Sequence, residues 1–354
     1  QPPAILPAIS KMTSTTQGYA AHAKDTPLVP FTFERRAPLP TDVSIDILFS
    51  GICHSDIHTA RSEWAGTTYP CVPGHEIVGR VSHVGDKVTK YKVGDTVGVG
   101  CMVGSCHACD ACSKDLEQYC SKSVFTYNSQ QHGENTKGGY SKHIVVDESF
   151  VVRIPSNLPL DACAPLLCAG ITVYSPLAHW KVSAGQRVGI VGLGGLGHMA
   201  VKIAKAMGAE VTVFSTSANK VESALKLGAT SVVISKDKNA LAAVAGKFDV
   251  ILDTVSQDHD LLFDQLKIDG LYIVVGIPET PYTLPAGRLI FGRRSLAGSL
   301  IGGIKETQDM LDFCSKHNII SDIELVKADY INTAYERVLK SDVKYRFVID
   351  ASTF

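Results

Sequence analysis

Val188-Gly189-Ile190-Val191 runs without a break into Gly192-Leu193-Gly194-Gly195-Leu196-Gly197, and then into His198-Met199-Ala200-Val201-Lys202-Ile203-Ala204. The first group is apolar and mostly β-branched, as a buried strand is, and the last carries apolar residues at helical spacing. Glycines between them permit a tight turn and close approach of the backbone to a ligand. The helix that follows offers free N–H groups and a partial positive charge at its start. Strand, glycine turn and helix in this order form a site for the pyrophosphate of a dinucleotide, with Gly192, Gly194, Gly195, Leu196 and Gly197 against the phosphates.

Working outward, apolar strands at Arg187 to Val191, Glu210 to Phe214, Ser231 to Ile234, Phe248 to Leu252, Leu271 to Gly276 and Ser295 to Ser299 alternate with helix-like stretches. That alternation predicts an α/β unit with a doubly wound parallel sheet, a Rossmann domain, over 166–304. Before Pro165 the texture changes. Short apolar runs, Val43 to Phe49, Ile77 to Val84 and Thr96 to Gly100, are broken by Val72-Pro73-Gly74, Val84-Gly85-Asp86 and Val93-Gly94-Asp95, which predicts a β-rich, barrel-like domain over 12–165. From about Lys305 an amphipathic helix through Met310, Leu311 and Phe313 precedes a strand, Tyr345 to Ile349, and 305–354 is expected to return to the first domain. Residues 1–11 precede Met12 and read as a leader or tag outside the fold.

The end of the second strand of the parallel sheet decides between nucleotides. NAD sites place a carboxylate there for the ribose hydroxyls. Here Val213-Phe214 leads to Ser215-Thr216-Ser217, with Lys220 just beyond. Hydroxyls and an ammonium suit a 2′-phosphate, so the expectation is NADP(H). The plainer reading is a polar loop that caps the next helix through Ser217 or Asn219.

The chain has 354 residues, 19% of them charged, and a formal net charge of −1. There is no basic face for nucleic acid and no acidic tail, and no apolar run long enough to span a bilayer. Partners are expected to be small molecules, and the location cytoplasmic.

Of ten cysteines, Cys106, Cys109, Cys112 and Cys120 crowd into fifteen residues. In a large chain such crowding favours one closed tetrahedral Zn²⁺ site of four thiolates, which pins a loop. A second group is dispersed: Cys53 in Gly51-Ile52-Cys53-His54-Ser55-Asp56, His75-Glu76 after Pro73-Gly74, and Cys168 in Pro165-Leu166-Leu167-Cys168-Ala169-Gly170. Separations of 22 and 93 residues do not say that these side chains meet. Taken alone, Cys168 reads as a core cysteine, as do Cys71, Cys163 and Cys314.

These motifs, with Trp64-Ala65-Gly66, Tyr69-Pro70-Cys71-Val72-Pro73-Gly74-His75-Glu76 and Lys344-Tyr345-Arg346-Phe347-Val348, resemble the zinc-containing medium-chain alcohol dehydrogenases, in particular the cinnamyl-alcohol-dehydrogenase-like, NADP-dependent aldehyde reductases. The resemblance runs from about Gly18 to Asp350. It implies a GroES-like first domain and two Zn²⁺ per subunit. Cys53, His75 and Cys168 would hold a catalytic zinc, with Glu76 as an alternate ligand. Asp56 matches a carboxylate that orients His75, against the plainer reading of a helix-start Asp.

By the same resemblance, Ser55 bonds the substrate oxygen and His58 ends its proton relay. Thr172 and Arg346 align with cofactor contacts. Trp64, Met102, Phe125 and Ile301 line the substrate cleft, for aromatic or medium aliphatic aldehydes. His54 departs from the family, many members of which carry Arg there. A homodimer through the edge strand around Ser295 to Ser299 is also implied. The competing functions are a zinc-free quinone or enone reductase on the same scaffold and a non-catalytic NADPH-binding protein.

Overall fold

The computed structural model describes residues 13–256, 261–278 and 280–354, so residues 1–11, read above as a leader or tag, lie outside the described residues. Six strands form a parallel sheet in the order Ser231–Ile234, Glu210–Ser215, Arg187–Val191, Phe248–Asp253, Leu266–Val274 and Ser295–Gly298. The order reverses between Arg187–Val191 and Phe248–Asp253, and at such a point a crevice opens beyond the carboxyl ends of the strands. The glycine loop starts in that crevice.

Both faces of the sheet are covered, which is why its strands read as nearly continuous apolar runs. On one face Val188, Ile190, Val211, Val213 and Leu252 pack with Met199, Ala200 and Ile203 of helix Gly195–Ala206. On the other, Val191, Phe214, Ile251 and Tyr272 form a second cluster. The fifth strand departs from expectation. It begins at Leu266 rather than Leu271, and its register shifts where Asp269 takes φ +63°. Lys267, Asp269 and Gly270 break the apolar run and conceal the first half of the strand.

The glycine turn is sterically obligatory. Gly192 has φ +89°, and a side chain on Gly197 would collide with the Gly192 carbonyl oxygen.

Seven strands build the other large sheet. Val152–Arg153, Thr96–Val99, Ile77–Val84, Asp42–Ile52, Arg346–Asp350 and Ile323–Val326 lie in that order, and His143–Asp147 pairs with the free half of Asp42–Ile52. The carboxyl end of the chain therefore returns to the first sheet, with Phe347 opposite Ile52. Helix Ile304–His317 makes the crossing, burying Met310, Leu311 and Cys314 in the same core as Val188 and Ile190. Cys71, Cys163 and Cys314 are buried, as read. Among the described residues no single helix is long and apolar enough to cross a membrane.

His198, on the first turn of the cofactor helix, is wholly buried. Its Nδ1 lies 3.2 Å from the Gly194 carbonyl oxygen and its Nε2 3.1 Å from Ser321 Oγ. Burial pushes its pKa down to about 3, with Lys202 and Arg346 adding to the effect. Between roughly pH 6.5 and 3 the unfolded chain binds a proton that the folded chain refuses, so this residue makes stability fall as pH falls, by up to ~1.4 kcal/mol per pH unit. The difference in urea-unfolding free energy between the wild type and His198→Gln is expected to shrink on acidification through that window. A pH-independent difference would show that His198 titrates normally in the fold.

Candidate functional site

Strand Asp42–Ile52 ends at Cys53, the N-cap of helix His54–Ala60. Three residues on, Asp56 turns back so that its Oδ2 accepts the Cys53 N–H at 2.8 Å. The same carboxylate accepts the Gly74 N–H and lies 3.1 Å from His75 Nδ1. Asp56 therefore caps the helix and also contacts the His75 ring. His75 and Glu76 follow Gly74, whose φ of +105° makes the turn that delivers them. Cys168 arrives from the start of helix Ala169–His179.

The donor atoms of Cys53, His75, Glu76 and Cys168, all buried, lie within 4.8 Å of one another. Cys53 Sγ and Cys168 Sγ are 3.9 Å apart, against about 3.8 Å for two sulfurs on a tetrahedral zinc with 2.3 Å bonds. A hydrogen bond from Cys168 draws the Cys53 thiol well below its ordinary pKa, with burial opposing and Arg346 and His75 assisting. The donor set, two sulfurs, an imidazole and a carboxylate, is that of a zinc site.

Glu76 is fully buried, and a side chain on Gly51 would occupy the position of its Oε2. One carboxylate oxygen pairs with Arg346 Nη2, while Oε2 has no hydrogen-bond partner. Burial lifts Glu76 to about 7 against the pull of Arg346. The orphaned oxygen beside three other donors fits a cation.

Arg346 connects this cluster to the glycine loop. A side chain on Gly195 would come within 2.8 Å of Arg346 Cδ. Thr172 is buried one turn after Cys168, its N–H bonded to the Cys168 carbonyl. Lys220 Nζ donates to the Leu193 carbonyl at 3.2 Å, which brings the ammonium to the glycine loop from the far side of the Ser215–Ser217 turn. Ser215 is buried, and its hydroxyl serves that turn by accepting the Ser217 N–H, whereas Thr216 is exposed and Ser217 half-exposed. Ser217 adopts an extended N-cap conformation before the short turn Ala218–Lys220 without a side-chain capping bond, so the capping reading fails for that residue.

Ser55 Oγ lies 3.7 Å from Cys53 Sγ, at the edge of the cluster. His58 stacks between His54 and Trp64, with ring centroids 4.8 Å apart on either side, and its Nδ1 is held by Glu63. Trp64 and Phe125 are exposed and Ile301 partly so, but Met102 is buried in the core of the first sheet, where it pairs with Phe125 across two short strands.

Cys106, Cys109, Cys112 and Cys120 also bring their sulfurs within 4.8 Å of one another, Cys112 lying 3.9 Å from Cys106 and 3.5 Å from Cys109. Hydrogen bonds, led by the Ala108 N–H and the Cys120 side chain, draw Cys106 down to about 6. Four convergent sulfurs fit a closed metal site.

Several residues escaped the sequence reading. Tyr140, fully buried, donates to Asp56 Oδ2 at 3.1 Å, and Tyr335 backs it at 3.5 Å. Tyr127 stacks on His75. Cys101 Sγ donates to the Leu167 carbonyl at 3.9 Å, and Cys168 beside it draws its thiol down. Gly138 and Gly139 before Tyr140, the first packed directly against the Pro73-Gly74 backbone, were the one available hint.

Residues 39–156 match the family described as "Alcohol dehydrogenase GroES-like domain", and residues 195–316 match "Zinc-binding dehydrogenase". The chain is 56% identical over 345 residues to NADP-dependent alcohol dehydrogenase C 1 of Mycolicibacterium smegmatis, a match covering 96% of this chain and 99% of that protein. Its structure is similar to a cinnamyl alcohol dehydrogenase of Sorghum bicolor, with TM-score 0.94, 49% identity and coverage of 96% and 98%. It also resembles the enzyme titled CAD from Helicobacter pylori, solved with NADP(H), with TM-score 0.91, 46% identity and coverage of 96% and 99%.

Removing Asp56 leaves His75 without its orienting partner. Asp56→Asn is expected to weaken zinc retention by roughly 10- to 100-fold in a chelator competition, the usual cost of losing such a partner. Tyr140→Phe should weaken it by a smaller factor, and equal retention in both variants and wild type would separate this network from the metal.

Proposed function

The chain belongs to the zinc-binding alcohol dehydrogenases and transfers hydride between NADP(H) and alcohols or aldehydes; from that premise we propose that the buried cluster of Cys53, His75 and Cys168 is its catalytic metal site. The observation that carries this reading is Arg346, which pairs with Glu76 at the cluster and lies against Gly195 at the glycine loop. One side chain thus spans the distance between a zinc-type donor set and the pyrophosphate position. When bound, zinc supplies Lewis acidity that makes an alcohol more acidic and a carbonyl more electrophilic, and NADPH supplies the hydride.

The chain's own residues do the rest. Cys53 and Cys168 as thiolates offset the double charge of the metal, and Glu76 stands by as an alternate ligand. Asp56 holds the His75 ring with Nδ1 toward the carboxylate, leaving Nε2 for the metal. Ser55 bonds the reacting oxygen and passes it a proton on reduction. His58, fixed by Glu63 and by stacking, resupplies that proton. Gly192, Gly194, Gly195, Leu196, Gly197 and Arg346 hold the pyrophosphate, and Thr172 meets the nicotinamide ribose. Thr216, Ser217 and Lys220 take the 2′-phosphate, with Ser215 shaping their turn.

The second zinc sits among Cys106, Cys109, Cys112 and Cys120, giving two per subunit. Trp64, Phe125 and Ile301, with Met102 behind them, form an apolar cleft for aromatic or medium aliphatic aldehydes. We divide the chain into a catalytic unit of residues 12–165 and 305–354 and a nucleotide unit of 166–304. Strand Ser295–Gly298 is an edge with its own Leu296 exposed, which supports a homodimer paired through that edge.

A quinone or enone reductase without zinc would have no use for the convergent Cys53, His75 and Cys168. Cys53→Ala is expected to lose turnover and one zinc per subunit while still binding NADPH, read by elemental analysis and fluorescence titration. Near-normal turnover in that variant would overturn the assignment. Ser55→Ala should lower kcat by roughly 10²- to 10⁴-fold, the range for a lost acid–base group, and a loss under about threefold would remove Ser55 from the relay.

A further inference from the structure

The chain leaves strand Ser295–Gly298 and enters helix Ile304–His317 through residues 299–303. Ile301 stands there at φ +37°, a left-handed conformation that a β-branched residue adopts only under constraint from its surroundings. The helix has Gly303 as its N-cap and so no capping side chain of its own.

The constraint comes from the loop that carries the four clustered cysteines. Glu117 Oε2 accepts the Ile304 N–H at 3.1 Å, and the Tyr119 hydroxyl accepts the Leu300 N–H at 3.2 Å. A side chain on Gly303 would collide with the Asp115 carbonyl oxygen, so the two backbones are in direct contact. Glu117–Tyr119 is a single 3₁₀ turn that ends on Cys120, one of the four sulfurs. The carboxylate also meets the partial positive charge at the helix start. On its other side Ile301 and Gly302 line a narrow crevice with Cys101, Met102 and Leu167, the last adjoining Cys168 in the chain.

We infer that Glu117 and Tyr119 are positioning residues that clamp the segment 299–303 and, through Ile301, set which aldehydes the cleft accepts. The four-cysteine loop then does more than stabilise itself, since its two arms fix one wall of the substrate cleft. This inference rests on the proposed placement of Ile301 at that cleft.

The test compares wild type, Glu117→Ala, Glu117→Gln and Tyr119→Phe as intact enzymes. In Glu117→Ala the Ile304 amide, and in Tyr119→Phe the Leu300 amide, should exchange with solvent roughly tenfold faster, as loss of one hydrogen bond predicts. In both, KM for cinnamaldehyde should rise at least about fivefold relative to KM for acetaldehyde, with kcat little changed and zinc content unchanged, as loss of binding common to ground and transition states predicts. Glu117→Gln keeps an acceptor and should restore both readouts. Unaltered exchange, or faster exchange with an unchanged KM ratio, overturns the inference. If the wild type itself turns over neither aldehyde with NADPH, the underlying functional reading fails, while amide exchange still decides whether the clamp exists.

Discussion

A guanidinium and a carboxylate buried together, Arg346 and Glu76, set the terms for everything around them. Either charge alone would be too costly to hold out of water. Burial alone would lower the pKa of Arg346, but Glu76 and the neighbouring sulfurs more than reverse this and keep it charged. The pair brings together three parts of the chain: Glu76 precedes strand Ile77–Val84, Arg346 opens the last strand, and Gly195 opens the cofactor helix. Gly51 and Gly195 are the places where a methyl group would break the arrangement. The donor cluster and the glycine loop are thus held in register by electrostatics as well as by packing.

The strands of the parallel sheet were legible because burial on two faces writes itself into the sequence as continuous apolar runs. Arg187–Val191 and Ser231–Ile234 agree with expectation to the residue. Where the run is broken, as at Lys267 to Gly270, the strand was read too short. The glycine loop and the four crowded cysteines were legible for a different reason, since each is a local motif whose partners are neighbours in the chain.

The dispersed donors were not legible from spacing. Nothing in the interval between His75 and Cys168 shows that a helix start and a turn will face each other, and only the resemblance brought Cys53, His75, Glu76 and Cys168 together. Tyr140, Glu117 and Tyr119 were missed because each acts across a tertiary contact through one polar atom, with no periodicity to betray it. Met102 shows the converse. A residue that the resemblance aligns with a substrate cleft turns out to be buried in the core.

The pairing of Ile52 with Phe347 has a bearing on how the molecule is made. The central strand of the first sheet emerges from the ribosome about three hundred residues before its neighbour, a wait of roughly 15 to 60 s at ordinary rates of synthesis. Throughout that interval the Phe49–Ile52 end of the strand lacks its partner, and the sulfurs of Cys53 and Cys168 have no Arg346 beside them. The nucleotide sheet, continuous in the chain, is free to form first and to serve as a scaffold on which the older segment is finally closed.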